Sequence, residues 1–201
     1  ILPAEYSEIS NNDGVKYLET IIDKGYNLIN LKIYYLAIDL FLLLSQCINL
    51  ENIYFYECDL YCSKNLIYDS SIKSLEIIRC DDIEYDVWKA LLYYSIDLEY
   101  LNLDGTKYNY EDLFEFLGDL KYFKYLNISS TNMTNELVDY IIFNLYNLTV
   151  LNIDYCDIND KQLIILSNNL PKLKKISLCS NKINDLSFYN GIINLKNLIS
   201  I

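Results

Sequence analysis

One short apolar phrase recurs along most of the chain, and it constrains the fold more than any other feature of the sequence. In the copy that starts at Leu98, apolar residues also stand three and five positions later, at Leu101 and Leu103. The copies start near residues 28, 50, 72, 98, 123, 148, 173 and 198, so that neighbouring copies lie 22 to 26 residues apart. A repeat this short cannot bury its apolar face alone. The copies are therefore expected to stack into a solenoid.

The spacing within each copy predicts a strand followed by a helix or an irregular turn. Alternating apolar positions, as in Leu101 and Leu103, are typical of a strand with one buried face. Apolar residues three and four apart then define one face of a helix. These helical positions are Leu113, Phe116, Leu117 and Leu120 in one copy and Leu137, Ile141 and Leu145 in another. The 22-residue copies leave room for a short or 3₁₀ segment only, whereas the longer copies can hold two to three helical turns.

The ninth position of the phrase carries a small polar or thiol side chain, which suits a buried turn where the side chain meets backbone groups. The residues at this position are Cys58, Cys80, Thr106, Thr131, Cys156 and Asn181. The complete pattern, LxxLxLxx(N/C/T)xI, resembles the leucine-rich repeat and covers roughly residues 28–201. The segments that begin at Cys80 and Cys156 are also similar to the cysteine-containing repeats of F-box adaptors.

This resemblance implies an α/β fold, namely a leucine-rich repeat solenoid (horseshoe) of about seven to eight repeats. A parallel sheet would line its concave side, and helices or irregular segments its convex side. Residues 1–27 are predicted to form an N-terminal cap or a partial repeat with one helix over 15–22. Residues 28–201 are predicted to form the repeats. The strand that begins at 198 is cut short, so we expect a C-terminal cap to be missing.

The absence of histidine excludes several kinds of catalytic site. A Ser-His-Asp triad, a Cys-His pair and a His-ligated metal all require this residue, and the chain has none. We therefore expect no enzymatic activity, no catalytic residues, no metal site and no cofactor. The net charge of −12 disfavours direct contact with nucleic acid or anionic lipid. No apolar run approaches the roughly 20 residues that a bilayer requires, so no membrane association is expected.

The six cysteines are predicted to be free thiols. Cys58, Cys80 and Cys156 occupy the buried turn position, and nothing completes a zinc site with Cys58 and Cys62. Cys179 is expected to project from a strand and to be accessible. Free thiols indicate a reducing compartment, so we expect a cytoplasmic or nuclear location. A secreted location is the alternative if a signal peptide has been removed.

Positions 2, 3, 5, 7 and 8 of each copy point away from the core, which predicts that they line the concave face. Seven of the 21 tyrosines occupy the 35 positions of this kind. Tyrosine is favoured at binding hot spots, although its preference for strands and the biased composition explain the same enrichment. Three asparagines at the fifth position predict a polar ladder beside these tyrosines. The predicted partner-binding residues are Tyr34, Tyr35, Tyr54, Tyr56, Tyr100, Asn102, Asp104, Tyr125, Asn127, Asn152, Asp154 and Tyr155.

The charges on the predicted concave face balance, so the net negative charge lies elsewhere on the molecule. The six basic residues are Lys32, Lys73, Arg79, Lys124, Lys174 and Lys175. The six acidic residues are Glu51, Glu57, Glu76, Glu99, Asp104 and Asp154. A strongly basic partner is therefore not required by charge alone.

Three functional hypotheses are compatible with a repeat chain of this kind. The first is a protein–protein interaction module that binds another protein through the concave face, as a monomeric solenoid within a larger chain or complex. The second is the substrate-recognition part of an F-box-like ubiquitin ligase adaptor. The third is a structural subunit of a large lineage-specific complex.

Overall fold

A parallel sheet with one strand from each repeat runs along the molecule, as the leucine spacing predicts. The computed structural model describes residues 6–10, 20, 27–64, 72–118 and 120–201. Within them, the strands in chain order are β1 (Tyr6–Ser10), β2 (Asn30–Tyr34), β3 (Ala37–Asp39), β4 (Asn52–Tyr56), β5 (Asp59–Tyr61), β6 (Ser74–Ile78), β7 (Tyr100–Asn102), β8 (Tyr125–Asn127), β9 (Val150–Asn152) and β10 (Lys175–Ser177). Eight of them form the main sheet in the order β1-β2-β4-β6-β7-β8-β9-β10.

The strands pair in the register that superimposes the repeated phrase. Every neighbouring pair is parallel, and the fourth residue of one copy faces the fourth residue of the next. These residues are Leu31, Ile53, Leu75, Leu101, Leu126, Leu151 and Ile176. A slip by one residue would turn this whole column toward solvent, so burial of one face fixes the register.

The first strand, β1, lies ahead of the first phrase and was not predicted from the sequence. It pairs in parallel with β2, and Ile9 stands opposite Ile33. The helix predicted over 15–22 falls outside the described residues except for Thr20, which is helical. At the other end, Ser200 forms a parallel bridge with Lys175, which adds one further backbone pairing beyond β10.

Helices lie on the other side of the core from the sheet. In the described part of the chain they are α1 (Leu40–Gln46), α2 (Tyr85–Leu92), α3 (Tyr110–Leu117), α4 (Asn135–Asn144), α5 (Asp160–Asn169) and α6 (Asp185–Ile192). α2 to α6 have eight to ten residues, which confirms the two to three turns predicted for the longer copies. α1 has only seven residues, which agrees with the short segment predicted to follow the strand in a 22-residue copy.

One predicted helical contact is corrected by the structure. Phe116 was expected on the buried face of its helix, but Phe114 is the buried aromatic residue of α3, with 1 % of its surface exposed. Phe116 is only partly buried and packs beside Tyr85 and Tyr93. The phenolic ring of Tyr140 on α4 stacks on Phe114 with ring centroids 4.2 Å apart, which explains why the latter turns inward.

The ninth-position residues connect each repeat to the one before it. Thr106 donates its hydroxyl proton to the carbonyl oxygen of Ile77 at 2.7 Å and accepts the backbone N–H of Cys80 at 3.1 Å. Cys156 and Asn181 donate in the same way to carbonyl groups of the preceding repeat, at 3.2 and 2.7 Å. This confirms the prediction that the side chain meets backbone groups in the turn. The four of these residues that are fully buried are Cys58, Cys80, Thr106 and Cys156.

The residue before the ninth position, at the eighth position, has a left-handed backbone conformation in all seven copies. The φ angles lie between 48° and 65° at Tyr35, Glu57, Arg79, Gly105, Ser130, Tyr155 and Ser180. An L-residue in this conformation costs about 1 to 2 kcal/mol, and only glycine adopts it freely. The stacked turns therefore hold six non-glycine residues in a backbone conformation that they would not choose alone.

All six thiols are unpaired, and their burial differs strongly along the chain. Cys47, Cys58, Cys80 and Cys156 are buried, Cys62 is half-buried, and Cys179 is exposed. The accessible position predicted for Cys179 is confirmed. Among the helices that the structure describes, none is long and apolar enough to cross a membrane.

Candidate functional site

The candidate site lies on the sheet face opposite the helices, which we call the open face. In β2, β4 and β6 the residues alternate between buried and half-buried, because successive side chains of a strand point to opposite faces. The buried residues join the core against the helices, and the half-buried residues form the open face. Most of the predicted partner-binding residues stand on this face or in the turn that follows each strand.

Four of the predicted tyrosines form one continuous aromatic group, the tyrosine cluster, made of Tyr34, Tyr35, Tyr54 and Tyr56. The Tyr34 ring centroid lies 5.3 Å from that of Tyr54 and 6.2 Å from that of Tyr56. Tyr35 packs edge-on against Tyr56 at 5.6 Å and keeps 59 % of its own surface exposed. These rings come together because they project from adjacent strands, about 4.8 Å apart, and from the turn beside them.

Two cations border the tyrosine cluster; the sequence places both on the predicted concave face, but they were not among the predicted partner-binding residues. Arg79 donates a hydrogen bond to the Tyr56 hydroxyl at 3.0 Å, and its guanidinium lies 5.8 Å from the centre of the Tyr56 ring. The Lys32 ammonium lies 5.5 Å from the centre of the Tyr54 ring. Cation–π contacts of this kind orient both partners, so the rings present a fixed surface.

The remaining predicted tyrosines lie apart from the cluster. Tyr100 and Tyr125 face each other on β7 and β8 and stack with ring centroids 3.9 Å apart and planes inclined by 15°. Burial, a hydrogen bond with Tyr125 and the Glu76 carboxylate raise the pKa of Tyr100. Tyr155 is 64 % exposed and stands in the turn after β9, four strands away from β4.

The three asparagines of the predicted polar ladder stand in one row, but their side chains also hold the local backbone. Asn102, Asn127 and Asn152 face one another across β7, β8 and β9. Each amide oxygen accepts the backbone N–H two residues ahead, at 3.0 to 3.2 Å. Asn102 and Asn127 are only 8 % and 7 % exposed. Most of the surface of these two asparagines is therefore covered by the protein itself, whereas Asn152 is half-buried and more accessible to a partner.

Two aspartates of the predicted site accept hydrogen bonds from the next repeat. The Ser129 hydroxyl donates to the Asp104 carboxylate, and the Ser177 hydroxyl donates to both carboxylate oxygens of Asp154 at 2.8 and 2.9 Å. The backbone N–H of Cys179 also donates to Asp154, at 2.6 Å. The carboxylates are thus fixed in the row that follows the asparagines.

Ion pairs between neighbouring repeats satisfy most of the other charges on the open face. Lys73 lies 2.9 Å from Glu51, and Lys124 lies 2.7 Å from Glu99. Arg79 lies 3.8 Å from Glu57, which is also at the border of the face. The side chains of these pairs are 36 to 61 % exposed, so each pair contributes little to stability. Their effect is to leave the face nearly neutral.

The described residues contain no group of three or more possible metal ligands of the His, Cys, Asp or Glu type. An open depression of about 710 Å³ lies beside the turns after β4 and β6. Its basic residues Arg79 and Lys107 pair with Glu57 and Asp81, the latter at 3.2 Å. The depression therefore carries internal charge pairs, in contrast to the aromatic surface of the tyrosine cluster.

No protein-family profile and no curated protein sequence matches the chain. Among solved structures, it is similar to an internalin from Listeria monocytogenes, with a TM-score of 0.60 at 14 % sequence identity. The similarity covers 96 % of this chain and 60 % of the internalin chain, so the chain spans about three fifths of that protein's length. This similarity shows that the fold is a leucine-rich repeat solenoid of mixed α/β structure with a parallel sheet.

Proposed function

We propose that this chain is a non-enzymatic protein–protein interaction module that binds a partner protein through the open face, which corresponds to the concave face of the repeat fold. The observation that carries the proposal is the tyrosine cluster. Four tyrosines from two adjacent strands and one turn form a single preorganised aromatic surface on the open face. Tyrosine buries a large area at a low cost in conformational entropy, which makes it a typical anchor of protein interfaces.

The surroundings of the cluster also support a protein partner. The neighbouring ion pairs leave the open face without a strong field of one sign, so an anionic polymer is not attracted. The stacked Tyr100 and Tyr125 rings form a second aromatic patch on the same face, two and three strands away from β4.

Affinity purification from the native cells tests the proposal. The wild-type chain is compared with Tyr34→Ala/Tyr54→Ala/Tyr56→Ala, after circular dichroism has shown that the variant is folded. A partner that is recovered with the wild type and lost with this variant supports binding at the cluster. The control variant is Tyr122→Ala/Tyr146→Ala/Tyr189→Ala, which removes exposed tyrosines outside the strands. A partner that is retained by the cluster variant and lost with the control would place the interface elsewhere.

A second candidate function is the substrate-recognition part of an F-box-like adaptor. It is favoured by Cys58, Cys80 and Cys156, whose buried thiols occupy the turn position of cysteine-containing repeats and contact backbone carbonyl groups. The test is to read the complete gene that encodes this chain. An F-box in the same reading frame supports the adaptor, and a complete gene without one rejects it.

A further inference from the structure

Glu76 differs from Glu51, Glu57 and Glu99 because no cation of the described residues lies beside it, a property that it shares with Asp104 and Asp154. Glu51, Glu57 and Glu99 each lie beside a cation, and Asp104 and Asp154 accept serine hydroxyls. Glu76 accepts one neutral donor, the amide of Asn102, which donates to Oε2 at 2.9 Å. No cation in the described part of the chain lies within ion-pair distance of it. Its charge therefore lacks a counter-ion within this region.

The cations nearest to Glu76 in the sheet are engaged with other groups. Lys73, at the start of the same repeat, pairs with Glu51. Arg79, at its end, donates to the Tyr56 hydroxyl and lies near Glu57. Lys32 stands over the Tyr54 ring, two strands away. These three cations therefore interact with other groups of the protein, and the Glu76 carboxylate on β6 is not paired with any of them.

Aromatic side chains flank Glu76 on both sides. Tyr54 faces it directly on β4, and Tyr100 stands on β7, opposite Ser74. Burial raises the pKa of both phenols most, a neighbouring tyrosine (Tyr34 for Tyr54, Tyr125 for Tyr100) raises it next, and the Glu76 charge adds a smaller rise to both. The half-buried carboxylate thus lies between the tyrosine cluster and the stacked pair of Tyr100 and Tyr125.

We infer that the partner inserts a lysine or arginine side chain between Tyr54 and Tyr100, where its charge meets the Glu76 carboxylate. This inference rests on the proposed function, because it names the chemistry of the partner segment that the open face takes. A cation at this place gains a charge-assisted hydrogen bond to Glu76 and cation–π contact with the flanking rings. The half-buried site weakens screening by salt, so this contact selects for charge.

A random linear peptide library displayed on phage is the probe. It is selected in parallel on the wild type, on Glu76→Gln, on Glu76→Lys and on Glu99→Gln. Glu99→Gln is the matched control, because it neutralises a carboxylate on the same face that already has a cation, Lys124. Peptides from the wild-type selection are then synthesised, and their dissociation constants are measured for all four proteins and for Tyr34→Ala/Tyr54→Ala/Tyr56→Ala.

The expected result is that wild-type peptides share one lysine or arginine that is required for binding. Glu76→Gln weakens them about tenfold, Glu76→Lys selects acidic residues at the same peptide position, and Glu99→Gln changes affinity less than about twofold. Peptides lost with the tyrosine variant but bound equally by Glu76→Gln would overturn this inference and leave the proposed function standing. Peptides bound equally by every variant would overturn both. A selection without any shared basic residue would also overturn the inference.

Discussion

Replacing Thr106 by valine tests whether the ninth-position hydrogen bonds hold neighbouring repeats together. Valine has nearly the same shape, so it leaves no cavity, but it removes the hydroxyl that bonds Ile77 and Cys80. Both backbone groups are buried there and would be left without a partner. Each unsatisfied buried group costs about 1 to 2 kcal/mol, so Thr106→Val should lower the free energy of unfolding by about 2 to 4 kcal/mol.

Urea unfolding followed by tryptophan fluorescence measures this change. The single tryptophan, Trp88, is fully buried in α2, within the repeat to which Thr106 bonds. With a denaturant slope of about 2 kcal/mol per molar, the midpoint should fall by about 1 to 2 M. Thr106→Cys should lose about 1 kcal/mol or less, because cysteine forms the equivalent bond at Cys156. A Thr106→Val midpoint within about 0.2 M of wild type would refute the reasoning.

Four further predictions concern individual residues of the fold. Gly105→Ala should lower stability by about 1 kcal/mol in urea unfolding, because φ is +65° there and the new Cβ would lie 3.2 Å from Arg79 Cγ. Asn159→Ala should cost about 1 kcal/mol by the same assay, since it removes the capping box of α5. Burial raises the pKa of the Cys80 thiol from 9.0 to about 12, so the folded protein keeps this thiol protonated at a pH where the unfolded chain loses the proton. The free energy of unfolding is therefore unaffected by this group below pH 9 and should fall by about 1.4 kcal/mol per pH unit as pH rises from 9 toward 12. At pH 8, iodoacetamide should accordingly modify the exposed Cys179 well before Cys80, which mass spectrometry of the digested protein measures.

The sheet and its register follow from the sequence because the buried residues repeat at fixed spacing. Leu101 and Leu126 face each other as the repeated phrase requires. The ninth-position turn was predictable for a similar reason, since Cys80 and Thr106 are small residues able to bond backbone groups in a confined place. In both cases one class of side chain, apolar in the strand and small and hydrogen-bonding in the turn, recurs at the same position of the copies.

Other parts of the fold carry too little sequence signal to be predicted. The side sheet pairs β3 with β5, three residues each, in which only Ile38 and Leu60 are buried. A single apolar residue does not define a period of two. Phe114 and Phe116 fit helical spacing equally well, because they stand three residues from Leu117 and from Leu113, respectively. The stack of Tyr140 on Phe114 decides between them, and that contact depends on the neighbouring repeat.

The candidate site was predictable only to the level of which residues share a face. The repeat places Tyr34, Tyr54 and Tyr56 on adjacent strands, so their proximity follows from register. The ring packing and the hydrogen bond from Arg79 to Tyr56 depend on side-chain rotamers, which spacing does not specify. Glu76 belonged to the balanced set of charges and became distinct only when the ion pairs around it were known.

Photo-cross-linking in the native cells tests the central claim of an interaction through the open face most directly. A benzophenone amino acid replaces either Tyr35, which belongs to the tyrosine cluster, or Phe143, which lies on α4 on the opposite side of the core. Both side chains are aromatic and well exposed, at 59 % and 75 %. Binding through the open face predicts a covalent partner adduct from position 35 and none from position 143. An adduct from position 143 alone, or none from position 35, would contradict the claim.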